Sequence, residues 1–135
     1  NTSFMLEIWR KNNFEQLFKI AYEKGIILSG VSAGAVCWFD WILSDSKGLG
    51  FKPLKGINLI EGSCTPHSSN IERINEFKLN IKNNKLPNGI AIDDGVAVVF
   101  IDGKPTEVYS TVDNQGAYFL DKNKKINLKE YIKNR

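Results

Sequence analysis

Hydrophobic residues recur along the chain at two different spacings, and the switches between them mark its elements. Phe4, Met5, Leu6, Ile8 and Trp9 open a first helix, with Asn1, Thr2 and Ser3 as capping residues. Phe14, Leu17, Phe18, Ala21 and Tyr22 fall at helical spacing and predict a second helix, stopped at Gly25. Ile26-Ile27-Leu28 reads as the end of a buried strand. Ala35-Val36-Cys37-Trp38-Phe39 predicts the first turns of a buried helix that extends toward Trp41. Residues 44–56 read as a loop, 57–60 as a short buried strand and 61–70 as a long polar loop. Asn70 caps a helix with Ile71, Ile74, Phe77 and Ile81 on one side. A turn at Pro87-Asn88-Gly89 leads to a buried strand over 89–92, then to Asp93-Asp94-Gly95. An apolar strand over 96–101 ends in a hairpin signal at Asp102-Gly103. Residues 108–111 and 117–120 complete a small β section, and 128–133 form a last helix. Helices alternate with buried strands over the first two thirds, which predicts an α/β fold. The C-terminal third reads as antiparallel hairpins added to a mostly parallel central sheet.

Composition narrows the function classes. The 135 residues are 42% hydrophobic and 24% charged, as expected of one domain, 1–135, with one modest core. The formal net charge is only +3 and the lysines are dispersed, apart from Lys122-Asn123-Lys124-Lys125, which predicts a solvated face and no nucleic-acid partner. No apolar stretch approaches the ~18 residues of a membrane span, so no membrane association is expected. No leader segment is visible. Two cysteines, Cys37 and Cys64, suggest no disulfide framework, and with a single histidine they make neither a zinc site nor any other metal or cofactor site. A cytoplasmic setting is the expectation.

Gly30-Val31-Ser32-Ala33-Gly34 carries the chemistry. It is a G-x-S-x-G element between an apolar strand signal and an apolar helix signal. A serine there sits on a sharp turn with its hydroxyl pushed outward. It also meets the free N–H groups of a helix N-terminus, which favour a developing negative charge. Those are the requirements of an acyl-transfer nucleophile. His67 is the single histidine, so an imidazole base acting on Ser32 has to be His67. An acid must orient that imidazole. Asp93 and Asp94 at a strand end are the first choices, of which strand alternation turns one toward His67. Asp45 is the third choice. The N–H of Ala33, the residue after the nucleophile, is the expected oxyanion donor. Arg10 and Arg73 are available as partners for a substrate carboxylate.

Taken together, these residues resemble peptidase family S51, which includes dipeptidase E (aspartyl dipeptidase) and cyanophycinase-like proteins. The resemblance is carried by Asn1-Thr2-Ser3-Phe4, Gly30-Val31-Ser32-Ala33-Gly34-Ala35, Lys55-Gly56-Ile57-Asn58-Leu59-Ile60, Pro66-His67 and Ala91-Ile92-Asp93-Asp94-Gly95, in order along nearly the whole chain. It implies a Ser-His-acid hydrolase on a class I glutamine-amidotransferase-like (flavodoxin-like) sandwich. It places the nucleophile on Ser32, the base on His67 and the acid on Asp94, where relatives often carry the longer Glu. Asp45 resembles a further acidic residue that matters in some relatives. The implied substrate is a small peptide with an acidic first residue. In the family, a glycine run and the first half of the sheet precede the segment resembling Asn1-Thr2. The chain is therefore expected to be the C-terminal portion of a family domain, without the N-terminal strands and a second oxyanion donor, and weakly active alone. An open sheet edge would invite a homodimer or pairing with the missing N-terminal segment.

Two other classes fit parts of the pattern. An esterase of the α/β-hydrolase class would place its acid before the histidine, at Asp40, Asp45 or Glu61. A non-enzymatic half-domain would pair with another chain.

Overall fold

A computed structural model describes all residues, Asn1–Arg135. Its centre is a six-stranded sheet in the order β2-β1-β3-β4-β7-β8. The strands are β1 (Phe39–Ser44), β2 (Lys52–Lys55), β3 (Ile60–Thr65), β4 (Gly89–Ile92), β7 (Ala117–Leu120) and β8 (Lys125–Asn127). β5 (Val96–Ile101) and β6 (Lys104–Ser110) pair only with each other. The helices are α1 (Thr2–Lys11), α2 (Phe14–Glu23), the single turn α3 (Ala33–Val36), α4 (Ile71–Lys82) and α5 (Leu128–Lys133).

Strand alternation divides the core into two layers. Ile42, Cys64 and Ile90 turn to one face, where Leu6 of α1, Val36 of α3 and Leu128 of α5 pack. Leu43, Ala91 and Leu120 turn to the other face, against Ile74, Phe77 and Ile81 of α4. Residues three and four apart on α4 share a face, which is why these three side chains meet the sheet together. Asn70 accepts a hydrogen bond from the Arg73 N–H and starts the helix where the sequence signal placed it. Phe77 is 0% exposed at the centre of this layer. Phe77→Ala is expected to cost about 3–5 kcal/mol, much of a typical total of ~5–15 kcal/mol. A urea titration should report a lower midpoint with an unchanged slope; an unchanged midpoint would contradict the packing described.

Several elements depart from the sequence pattern. The sheet is mixed rather than mostly parallel: only β1–β3 and β3–β4 are parallel among its pairings. The buried helix expected from Ala35 to Phe39 is one turn, and Phe39 and Trp41 belong to β1. A strand flanked on both sides by partners favours this aromatic and branched run over helix. β2 lies inside the expected 44–56 loop; its Lys-Pro-Leu-Lys sequence suits an edge strand. β3 takes up 60–65, most of which has the hydropathy of a loop. Its Ser63, Cys64 and Thr65 are all fully buried, because small side chains fit between the close neighbours β1 and β4. The C-terminal hairpins divide: β7 and β8 extend the main sheet, whereas β5–β6 is a separate ribbon packed through Val96, Val98, Phe100 and Val108.

The largest departure is at 26–28, expected as a buried strand. The segment has no ladder partner, and Ile27 is 90% exposed. Val31, beside the nucleophile candidate, is 87% exposed. Phe4 on α1, Leu17 on α2 and Ile26 are also exposed apolar side chains.

Candidate active site

Seven residues other than glycine have a positive φ. Five are Asn or Asp, which tolerate that region; the other two are Ser32 (φ 53°) and His67 (φ 53°). Such backbone costs about 1–3 kcal/mol per residue and persists where the surroundings impose it. At Ser32 the surroundings are the turn between the 26–29 segment and α3. A Cβ on Gly30 would lie 2.1 Å from the Gly34 carbonyl oxygen, so only glycine lets the turn close this tightly. Gly34 has open space around it and is not required in the same way. At the start of α3 the Ala33 N–H donates to no group of the protein, whereas the Gly34, Ala35 and Val36 N–H groups are taken up by Val31 and Ser32 carbonyls.

His67 follows β3, and Asp93 and Asp94 follow β4, so the carboxyl ends of two adjacent parallel strands deliver these side chains to one place. Ser32 Oγ lies 2.8 Å from His67 Nε2. On the other side of the ring, His67 Nδ1 is hydrogen-bonded to Asp94 Oδ1. An ionised carboxylate only accepts, so Nδ1 carries the proton and Nε2 is free to accept from the Ser32 hydroxyl. The hydrogen bond from His67, aided by the Ser69 hydroxyl and the nearby Arg73 charge, holds the Asp94 carboxyl below its ordinary value of 3.8. Its stabilising contribution is therefore complete above that value and is lost as pH falls through the lower folded value.

The choice among the three acids is made by partners. Asp93 is buried and accepts from the Ser68 hydroxyl and from the Gly116 N–H at 3.0 Å. Asp45 pairs with Arg73 at 3.1 Å. Asp94 alone meets the imidazole. Of the acids an esterase order requires, Asp40 is bound to Lys55 at 2.9 Å and Asp45 to Arg73, and none is on His67. Arg10 is tied to Glu15 and to the carbonyls of Lys55 and Gly56.

Ser32 and His67 open onto a pocket of about 260 Å³. Its other walls include buried Ile42 and Leu43 and the polar groups of Ser44, Asp45 and Arg73. Arg73 reaches it from the first turn of α4, stacked over Phe51 and hydrogen-bonded to the Leu43 carbonyl. A larger open groove of about 430 Å³ lies between α4 and the β7–β8 turn and contains none of these residues. Burial pushes the Cys37 thiol up to about 12, and the Cys64 thiol also upward, so neither is a thiolate nucleophile at neutral pH. Ser68 and Ser69 were not legible as site residues. The clue in the sequence is a pair of adjacent serines directly after the histidine, in a chain with a pair of adjacent aspartates at a strand end.

Together these elements define an α/β protein with a Ser-His-Asp constellation: His67 and Asp94 follow the carboxyl ends of adjacent parallel strands, and Ser32 lies on the turn before α3. The chain belongs to peptidase family S51: the sequence profile of Peptidase family S51 matches residues 1–108. The chain is also similar to the uncharacterized peptidase YgaJ of Bacillus subtilis (strain 168), with 32% identity over 119 residues, 87% of this chain and 51% of that protein. It thus spans about half the length of this curated relative. No helix is long and apolar enough to cross a membrane.

Proposed function

We propose that the chain carries the reacting groups of a serine-type peptidase that cleaves small peptides through an acyl-enzyme on Ser32. The observation behind this reading is the continuous hydrogen-bonded line from Ser32 Oγ through both nitrogens of His67 to Asp94, facing a pocket. Ser32 Oγ attacks the scissile carbonyl carbon while its proton passes to His67 Nε2. The Ala33 N–H donates to the oxyanion. The C–N bond then breaks, and the proton on Nε2 goes to the leaving amine. Water enters, gives a proton to Nε2 and attacks the acyl carbon; the returned proton restores the Ser32 hydroxyl. Asp94 holds the tautomer throughout and stabilises the imidazolium. The chain order Ser-His-Asp supports this over an α/β-hydrolase esterase, whose acid precedes its histidine. The layered sheet supports a glutamine-amidotransferase-like fold, and Arg73 in the pocket supports a substrate with an acidic first residue.

A fluorophosphonate probe tests the nucleophile. Intact-mass and peptide analysis is expected to find one adduct, on Ser32, and none in His67→Ala. Labelling elsewhere, or equal labelling of both proteins, would remove the mechanism.

A second reading concerns the open apolar surface. Ile27 and Val31 stand exposed on either side of the Gly30 turn, which supports a functional unit in which further protein covers this face. In that reading the chain alone is weakly active, and the covering segment completes the site.

A further inference from the structure

Asp94 is the weak point of the constellation. Its side chain is 63% exposed, it extends from a loop, and Oδ1 alone contacts the imidazole. A carboxylate held at one oxygen in water rotates about its side-chain bonds, and each rotation breaks the line to Ser32. The Ser69 hydroxyl donates to the second oxygen, Oδ2, at 3.1 Å, and is the one protein donor to that atom. We propose that Ser69 is a positioning residue: it pins Asp94 at Oδ2 and so keeps Oδ1 turned toward His67.

The proposal rests on the triad reading above and extends it to a residue that touches neither substrate nor imidazole. The surrounding construction supports it. Adjacent serines after His67 meet adjacent aspartates after β4. The inner pair, Ser68 on Asp93, is buried, and the Ser68 N–H also donates to the Ile92 carbonyl at 3.1 Å. Asp93 is fixed in turn by the Gly116 N–H, while its own N–H donates to the Gly116 carbonyl. This inner clasp ties the loop carrying His67 to the end of β4. The outer pair, Ser69 on Asp94, repeats the clasp one residue further on, where the carboxylate faces the ring. The ordinary alternative use of such a serine, capping the following helix, is already filled by Asn70. The groups that face Asp94 are His67 from the loop, which donates Nδ1–H to it, and the charged Arg73 from α4, and both favour the ionised form that Ser69 holds in place.

The test uses Ser69→Ala, Ser69→Thr and Asp94→Ala, with ¹⁵N-labelled histidine. The single imidazole gives one pair of nitrogen shifts, which report the tautomer at about pH 9, where a free imidazole ring is neutral. The wild type is expected to hold the Nδ1–H tautomer. Ser69→Ala is expected to shift it toward Nε2–H and to lower kcat about tenfold with KM unchanged, as for loss of one hydrogen bond to a charged group. Ser69→Thr, which keeps the hydroxyl, is expected to restore both. Unfolding midpoints should agree among the Ser69 variants, since this side chain is on the surface. If Ser69→Ala keeps the wild-type tautomer and kcat while Asp94→Ala shifts the tautomer, the proposal is overturned and the triad reading stands. If Asp94→Ala also leaves the tautomer unchanged, Asp94 does not hold His67 and both fall.

Discussion

Ser32→Ala is expected to remove turnover, with a fall of about 10⁶-fold in kcat, the order seen when a triad nucleophile is deleted. In the proposed mechanism the hydroxyl oxygen forms the acyl bond, and no neighbouring group can replace it. Cys37 is buried and its thiol is held in the protonated form. Substrate binding and the oxyanion donor remain, so a small residual rate over water is expected. Stability should barely change, because the positive φ at position 32 is imposed by the turn and persists with alanine. The measurement is peptide turnover beside a thermal melt. Activity within tenfold of wild type would exclude Ser32 as the nucleophile.

Asp94→Asn is expected to lower kcat by about 10³- to 10⁴-fold, because an amide can donate to Nδ1 and so favour the wrong tautomer. The exposure of Asp94 argues for the lower part of that range, since water competes for the ring. Asp93→Asn separates activity from architecture. Asp93 makes no contact with the imidazole and instead bonds Ser68 and Gly116, so its replacement should reduce stability first. Asp45→Asn breaks the pair with Arg73 on the pocket wall and should act chiefly on KM. Equal losses of kcat in all three variants would mean that Asp94 has no separate role in the chemistry.

Strong local signals were legible without coordinates. The α2 and α4 periodicities, the Asn70 cap and the Asp102-Gly103 hairpin all correspond to observed elements. Family membership was equally legible, because the motifs keep their order along the chain. What failed depends on partners distant in sequence. β3 is buried through serine, cysteine and threonine, whose side chains carry no hydrophobic signal. Conversely Ile26-Ile27-Leu28 carries a strong strand signal but finds no strand to pair with. Ser32 and His67 attracted notice through a local motif and a single imidazole. Strand alternation alone could not separate the neighbouring aspartates, and only the family resemblance pointed to Asp94, because the choice depends on how the loop after β4 turns and on which serine meets which carboxylate.

The two strained backbone positions have an evolutionary corollary. Ser32 and His67 both oppose folding by occupying conformations that glycine would adopt at lower cost. A lineage selected for durability alone would discard these two side chains early, gaining robustness with each loss. Any laboratory campaign toward a heat-tolerant form must therefore screen for turnover at every round, or its winners will be sturdy and inert.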